Sequence, residues 1–242
     1  MKKSIIDNIK TIIYALLIAL VIRSLLFQPF YIPSSSMEPN LLIGDRLFVS
    51  KYTYGYSRHS LPFSPKIYNK RVFKKIPSRG DIVVFKTPVD NRTDYIKRLI
   101  GLPGDELQFI NGNLFINNIK IKKKRIKTSF NISCGNRILD VIAFEETLPN
   151  KVKYTAVYNT QNSWNNTDKF IVPNNKYFFM GDNRDCSKDS RFLGSVGYVD
   201  ENNLVGKARI TFFSHNQKYG NIFKFWAWHK SLRLERFFKK IK

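Results

Sequence analysis

Apolar residues run almost unbroken over positions 11–22, TIIYALLIALVI, behind Lys2, Lys3 and Lys10. At 1.5 Å per residue this run falls short of the roughly 30 Å hydrocarbon layer of a bilayer. Carried back to Ile5 and on through Leu25, Leu26 and Phe27, it reaches spanning length, with Lys10 and Arg23 snorkelling toward the interfaces. A cleavable signal peptide begins in a similar way but needs small residues just past the apolar run. Ile22-Arg23-Ser24 and Leu26-Phe27-Gln28 do not supply them. The pattern therefore predicts an uncleaved anchor over 11–27. Lysines on the short flank put residues 1–10 in the cytoplasm and 28–242 on the far side.

Beyond Pro33 the period changes from helix to strand. Runs rich in β-branched and apolar residues at 47–50, 81–86, 95–100, 177–180 and 204–213 read as strands, several preceded by turn formers such as Arg79-Gly80. LQFINGNLFINNIKI at 107–121 reads as a hairpin about Asn111-Gly112, because that dipeptide suits the tight turn between antiparallel strands. Residues 51–79 carry Gly, Pro, Ser, Tyr and Lys without a period and predict a long surface excursion. Residues 122–170 mix Asn, Lys and Thr with short apolar pieces and predict a β-rich insertion. Near the end, Phe223, Phe225, Trp226 and Trp228 cluster. Leu234, Phe237, Phe238 and Ile241 then recur at i, i+3, i+4, i+7 among cations, the pattern of a basic amphipathic helix lying in a membrane interface or packed on its own domain.

Charge changes the picture. Forty-one Lys and Arg against eighteen Asp and Glu leave +23, so an anionic partner is expected, either nucleic acid or lipid head groups. An apolar anchor favours lipid over nucleic acid. Cys134 and Cys186 have no metal or redox spacing and would pair only in an oxidising compartment. His59, His215 and His229 lie far apart, which argues against a histidine metal site or a histidine-based triad. A hydrolase built from this chain would need another base.

Three segments carry candidate chemistry. PSSSMEP at 33–39 follows the anchor closely and offers hydroxyls on a tight turn, where backbone N–H groups could face an oxyanion; the same spacing also makes an ordinary helix cap. Lys97 lies in the strand DYIKRLIG. Alternation puts it on one face with Tyr95 and Leu99, and puts Arg98 on the other with Ile96 and Ile100. A lysine among apolar neighbours is desolvated and partly neutral, the form able to take a proton from a hydroxyl. GDNRDCSKDSR at 181–191 follows an apolar strand and reads as a loop ordered by ion pairs.

Five blocks in order resemble the type I signal peptidases: the anchor, IPSSSMEPNLLIGD (32–45), RGDIVVF (79–85), DYIKRLIGLPGD (94–105) and GDNRDCSKDSR (181–191). The resemblance implies a mainly β fold, an antiparallel β-sheet peptidase body with a variable β insertion at about 122–170, preceded by one transmembrane helix. It also implies a membrane-bound serine endopeptidase that removes signal peptides from exported preproteins, cleaving after small residues at −1 and −3. Carried over by position, Ser36 is the nucleophile and Lys97 the general base. Ser34 helps hold the oxyanion, Ser187 hydrogen-bonds and orients the lysine, and Asp189 and Arg191 form an ion-paired support. Phe30, Ile32, Pro33, Met37, Leu41, Tyr95 and Ile96 line the substrate pockets. The expected partners are preproteins and membrane phospholipid, not nucleic acid; the expected place is the bacterial inner membrane with the catalytic body on its outer side. No metal or cofactor is called for. Asn40 and Cys186 depart from the common Thr and Asn of the family, and a free thiol at Cys186 would bring reagents close to the site.

Overall fold

The computed structural model describes residues 2–66, 70–161, 163–220 and 224–241. Helix α1 (Lys2–Val21) continues through a widened π segment, Ile22–Leu26. The apolar span Ile5–Leu26 is exposed along nearly all its length and is long and apolar enough to cross a membrane. In chain order follow β1 (Phe27–Tyr31), β2 (Asp45–Ser50), β3 (Ile82–Lys86), β4 (Asp94–Gly101), β5 (Glu106–Ile110), β6 (Asn113–Ile116), β7 (Ile119–Lys120), β8 (Lys122–Cys134), β9 (Arg137–Thr147) and β10 (Lys153–Asn159). The remaining elements are β11 (Phe170–Ile171), β12 (Lys176–Met180), β13 (Val199–Asp200), β14 (Leu204–Ser214), the single helical turn α2 (Trp228–Ser231) and β15 (Lys239–Lys240). The fold is mainly β, as its period-2 segments require.

The largest sheet runs β1-β2-β14-β3-β4-β12-β13, with β15 also on β14 and every pairing antiparallel. A second sheet, β10-β9-β8, projects the long β8–β9 hairpin, and a third runs β11-β5-β6-β7. Asn111 and Gly112 take φ of 48° and 70° between β5 and β6, the left-handed pair that a two-residue hairpin of this twist demands. Two of the apolar clusters cover the opposite faces of the main sheet. Ile32, Met37, Leu41, Leu47, Val49, Ile82, Val84, Val205 and Ala208 form one. Val83, Phe85, Leu99, Tyr177 and Phe179 lie in the other, where Phe85 and Phe179 stack with ring centroids 4.6 Å apart.

Two expectations change. The 234–241 segment is not an amphipathic helix: it is a 3-10 turn (Leu234–Arg236) followed by β15 paired to Ile210 and Thr211. Arg236 is drawn onto the buried Asp45 at 2.5 and 2.9 Å, Ile241 packs on the main-sheet core, and Phe238 takes a left-handed φ of 54° that no α-helix tolerates. Tertiary pairing outcompetes a four-position helical pattern, since an isolated short helix is marginal in water. Of the terminal aromatics, Phe225, Trp226 and Trp228 are exposed, and Phe223 lies outside the described residues. The 51–79 segment, in turn, is more than a surface excursion, because Lys51, Tyr54, Ser57, His59 and Ser60 are buried.

Candidate active site

Ser36 stands on a 3-10 turn (Ser35–Met37) at the foot of β1, entered from the extended Ser34. The turn is held from below by the 181–186 loop. The Asn183 N–H donates to the Ser36 carbonyl at 3.1 Å, and Asn183 Nδ2 donates to the Ser35 carbonyl at 3.3 Å. Its apolar residue, Met37, is sealed in the core, so the turn cannot rotate without exposing it. Ser34 is exposed, with its Oγ 3.3 Å from Ser36 Oγ.

Lys97 comes from the middle of β4, fixed by Val83 of β3 across the ladder. It is buried, and its Nζ donates to Ser36 Oγ at 2.6 Å and to the Ile96 carbonyl at 3.0 Å. The Tyr95 ring centroid lies 5.3 Å from the same nitrogen. Burial pushes the Lys97 ammonium down to about 8; Asp189 and Asp182 pull it back up, and Arg191 lowers it further. No carboxylate pairs with Lys97 directly among the described residues, so desolvation wins.

Asp189 gathers the loop beneath. It accepts from Ser187 Oγ at 2.6 Å, from the Gly181 N–H at 2.9 Å, and from Arg191 Nε and a second guanidinium nitrogen at 2.8 and 2.9 Å. Burial pushes its carboxyl up, but Arg191 and these donors outweigh burial and hold it below the usual carboxylate range. The hydroxyl of Ser187 is thus given to Asp189 rather than to Lys97, whose direction is set instead by Ser36 and the Ile96 carbonyl. A buried carboxylate is a strong, charge-assisted acceptor, which fixes the direction of the Ser187 hydroxyl. A Cβ on Gly181 would fall onto Ser187 Oγ and the Ser36 carbonyl, so this glycine lets the loop and the serine turn touch.

The structure brings Ser34, Ser36 and Lys97 into one contact chain, and Ser187, Asp189 and Arg191 into the neighbouring one. Of the expected pocket residues, Ile32, Met37 and Leu41 are fully buried, Phe30 and Ile96 lie at the edge of the same cluster, Tyr95 borders the opposite one, and Pro33 is exposed. Cys186 is not a thiol. It is bonded to Cys134 at the end of β8, which corrects the idea of a reactive sulfur, and Ser35 Oγ lies 3.2 Å from its sulfur.

Sequence reasoning missed two ionic networks that carry the site. Arg98, completely buried beside Lys97, forks onto Asp182 at 2.7 and 2.8 Å and donates to the Gly80 carbonyl at 2.8 Å. Asn40 Nδ2 donates to the same carboxylate at 2.7 Å and to the Thr155 carbonyl at 2.7 Å. Three separated blocks, 32–45, 94–105 and 181–191, thereby meet at Asp182. Arg184 similarly pairs with the buried Glu146 at 2.6 Å, within reach of Tyr154 and Tyr158, and ties the second sheet to the loop. A guanidinium inside an apolar strand was the available signal, because it requires a buried carboxylate somewhere.

Residues 5–213 match the model of the family described as signal peptidase, peptidase S26. Signal peptidase I of Rickettsia typhi is 39% identical over 256 aligned positions, covering 99% of this chain and 95% of the relative. The Rickettsia prowazekii protein of the same name matches with the same identity and coverage. A crystal structure of a signal peptidase I from Enterococcus faecalis aligns at 27% identity, covering 55% of this chain and 97% of that one, with a TM-score of 0.32. The chain belongs to the signal peptidase family, peptidase S26, and is accordingly a serine endopeptidase.

Proposed function

We propose that the chain is a membrane-bound signal peptidase that cleaves exported precursors by a Ser36–Lys97 dyad. The observation that carries this reading is the buried Lys97 Nζ held 2.6 Å from Ser36 Oγ. In its neutral form Lys97 accepts the Ser36 proton as the oxygen attacks the scissile carbonyl. The Ser36 N–H and Ser34 Oγ hold the oxyanion, Lys97 returns its proton to the leaving amine, and a water deprotonated by Lys97 then releases the acyl group. Asp189, held by Arg191 and Ser187, fixes the loop on which the serine turn rests.

The substrate lies extended between two sheet edges. β1 is a terminal strand, and β4 before Arg98 pairs with β3 alone, because the β12 ladder ends at the Met180–Arg98 pair. Phe30, Ile32 and Ile96 connect those edges through one apolar cluster. A segment added there bonds through its backbone. The closed packing of Ile32, Met37 and Leu41 favours Ala-sized residues at −1 and −3, because a larger side chain would clash with it.

The Ile5–Leu26 helix anchors the enzyme in the inner membrane with its lysine-bearing end in the cytoplasm. A precursor whose signal segment is held in the same bilayer meets the site at raised effective concentration. The deciding experiment is cleavage of a signal-peptide-bearing precursor by the detergent-solubilised full chain. Ser36→Ala and Lys97→Ala should each lower the rate by at least about a thousandfold. Cleavage by either folded variant at the unsubstituted rate would sink the dyad.

A further inference from the structure

The 51–79 segment folds back over the root of the anchor. The Lys51 N–H donates to the Leu26 carbonyl at 3.0 Å, and Tyr56 Oη donates to the Leu25 carbonyl at 3.0 Å. With the turn between β3 and β4 it walls a cleft of about 720 Å³. Arg23 enters from the last turns of the anchor, Lys51, Arg58 and Lys66 from the excursion, and Lys86 and Arg92 from the facing turn. Two carboxylates share the wall, and both are engaged. Asp94 pairs with Lys86 at 2.9 Å, while Asp90 accepts from the N–H groups of Arg92 and Thr93 at 2.9 and 3.0 Å within its own loop. Among the described residues Arg23, Lys51, Arg58, Lys66 and Arg92 have no carboxylate at ion-pair distance.

Two bases inside the cleft feel that excess. Burial, then Arg23, pushes the buried Lys51 down to about 8, although its Nζ donates to the Ser60 carbonyl at 2.6 Å. Burial, then Arg58, pushes His59 down to about 4. Cations without a carboxylate partner, gathered around the buried Lys51, raise one another's free energy, and a bound anion relieves this.

Position narrows which anion. Arg23 belongs both to the apolar span and to the cleft, so the cleft opens where lipid head groups lie. The tip of the excursion carries Leu61, Pro62 and Phe63 beside it, and the Phe63 side chain is fully exposed. An unpacked phenyl at that depth fits the boundary between head groups and acyl chains.

We propose that this cleft binds the phosphate-bearing head group of an anionic membrane lipid, with Lys51, Arg58 and Arg92 around the phosphate and Phe63 against the acyl chains. The inference rests on the membrane placement proposed above; the cleft contains neither Ser36 nor Lys97, although Phe30 lines both it and the substrate edge. Free phosphate offers the same anion without the acyl chains, so the test includes both.

The full chain in maltoside micelles is titrated with dihexanoyl phosphatidylglycerol, dihexanoyl phosphatidylcholine and inorganic phosphate, with binding read by calorimetry. Phosphatidylglycerol should bind at least about tenfold more tightly than either of the others, a difference of about 1.4 kcal/mol. The double variant Arg58→Glu, Arg92→Glu should lose that preference while its precursor cleavage in lipid-free detergent stays unchanged. Equal affinity for the two lipids, phosphate binding as tight as phosphatidylglycerol, or a preference retained by the double variant would each overturn the proposal. If the double variant does not fold, the single variant Arg92→Glu at the exposed rim takes its place and must lower the preference several-fold; an unchanged preference is again fatal. Wild-type protein that keeps the lipid preference but cleaves no precursor would overturn the peptidase reading alone.

Discussion

Lys97 Nζ and Ser36 Oγ meet at 2.6 Å although they stand on different elements, one in the middle of β4 and the other on a turn below β1. The contact depends on everything that fixes those two elements, and several of its consequences are measurable.

The pH profile follows from burial. With Lys97 lowered to about 8, the neutral, proton-accepting form grows as pH rises and levels off above that value. Precursor kcat/KM should therefore climb about tenfold per pH unit between about 6 and 7.5 and flatten beyond about 8.5. A flat profile across that range would remove Lys97 as the base.

The same burial costs stability. The folded amine titrates near 8 and the unfolded one near 10.5, so the unfolded chain binds more protons between those values. The penalty is complete below the folded value and is relieved as pH rises through it, and at pH 7 it amounts to about 3 kcal/mol. Lys97→Met should thus abolish cleavage yet raise the melting temperature by several degrees at pH 7, with a smaller gain at pH 10. Destabilisation at both pH values would contradict the desolvation account.

Gly181→Ala places a methyl group against Ser187 and the Ser36 carbonyl. Catalysis is sensitive to displacements on the order of 1 Å, so the rate should fall about a hundredfold. KM should change little, because the substituted position lies behind the serine turn. A kcat within about twofold of the unsubstituted protein would show that the loop can yield there.

Asp182→Ala strands the fully buried Arg98 and also takes an acceptor from Asn40. Removing one partner of such a pair costs about 3–5 kcal/mol. Asn40→Ala, which leaves the ion pair intact, should cost about 1–2 kcal/mol. Denaturant unfolding in micelles measures both, and equal losses for the two variants would deny Asp182 its central place.

The Cys134–Cys186 bond closes a loop between positions 52 residues apart and ties the β8–β9 hairpin to the site loop. Cys134→Ser with Cys186→Ser should lower stability by about 2–4 kcal/mol. The unreduced protein should take up no iodoacetamide at these positions. Labelling without reductant would mean that the bond is not formed.

Much of this was legible in the chain, for identifiable reasons. β4 was expected at 95–100 and spans Asp94–Gly101, because a strand bounded by turn formers declares itself locally. The Asn111-Gly112 hairpin followed from backbone preference alone. The basic tail departs from its pattern: its four apolar positions suit a helix, but Arg236 and β15 find stronger partners on Asp45 and β14. Arg98 was assigned a face, but its carboxylate lay 84 positions away in a loop whose path no local pattern reveals.

The sequence by itself determined the apolar N-terminal helix, the strand-rich body and the residue types able to react, since these rest on periodicity, turn chemistry and ordered motifs. Only the tertiary structure decided that Lys97 is dry and touches Ser36, that Ser187 bonds Asp189, that Cys186 is a disulfide, and that cations from three segments share one cleft. Desolvation, ion pairing and cross-strand contact depend on distances between parts of the chain remote in sequence, and folding sets those distances.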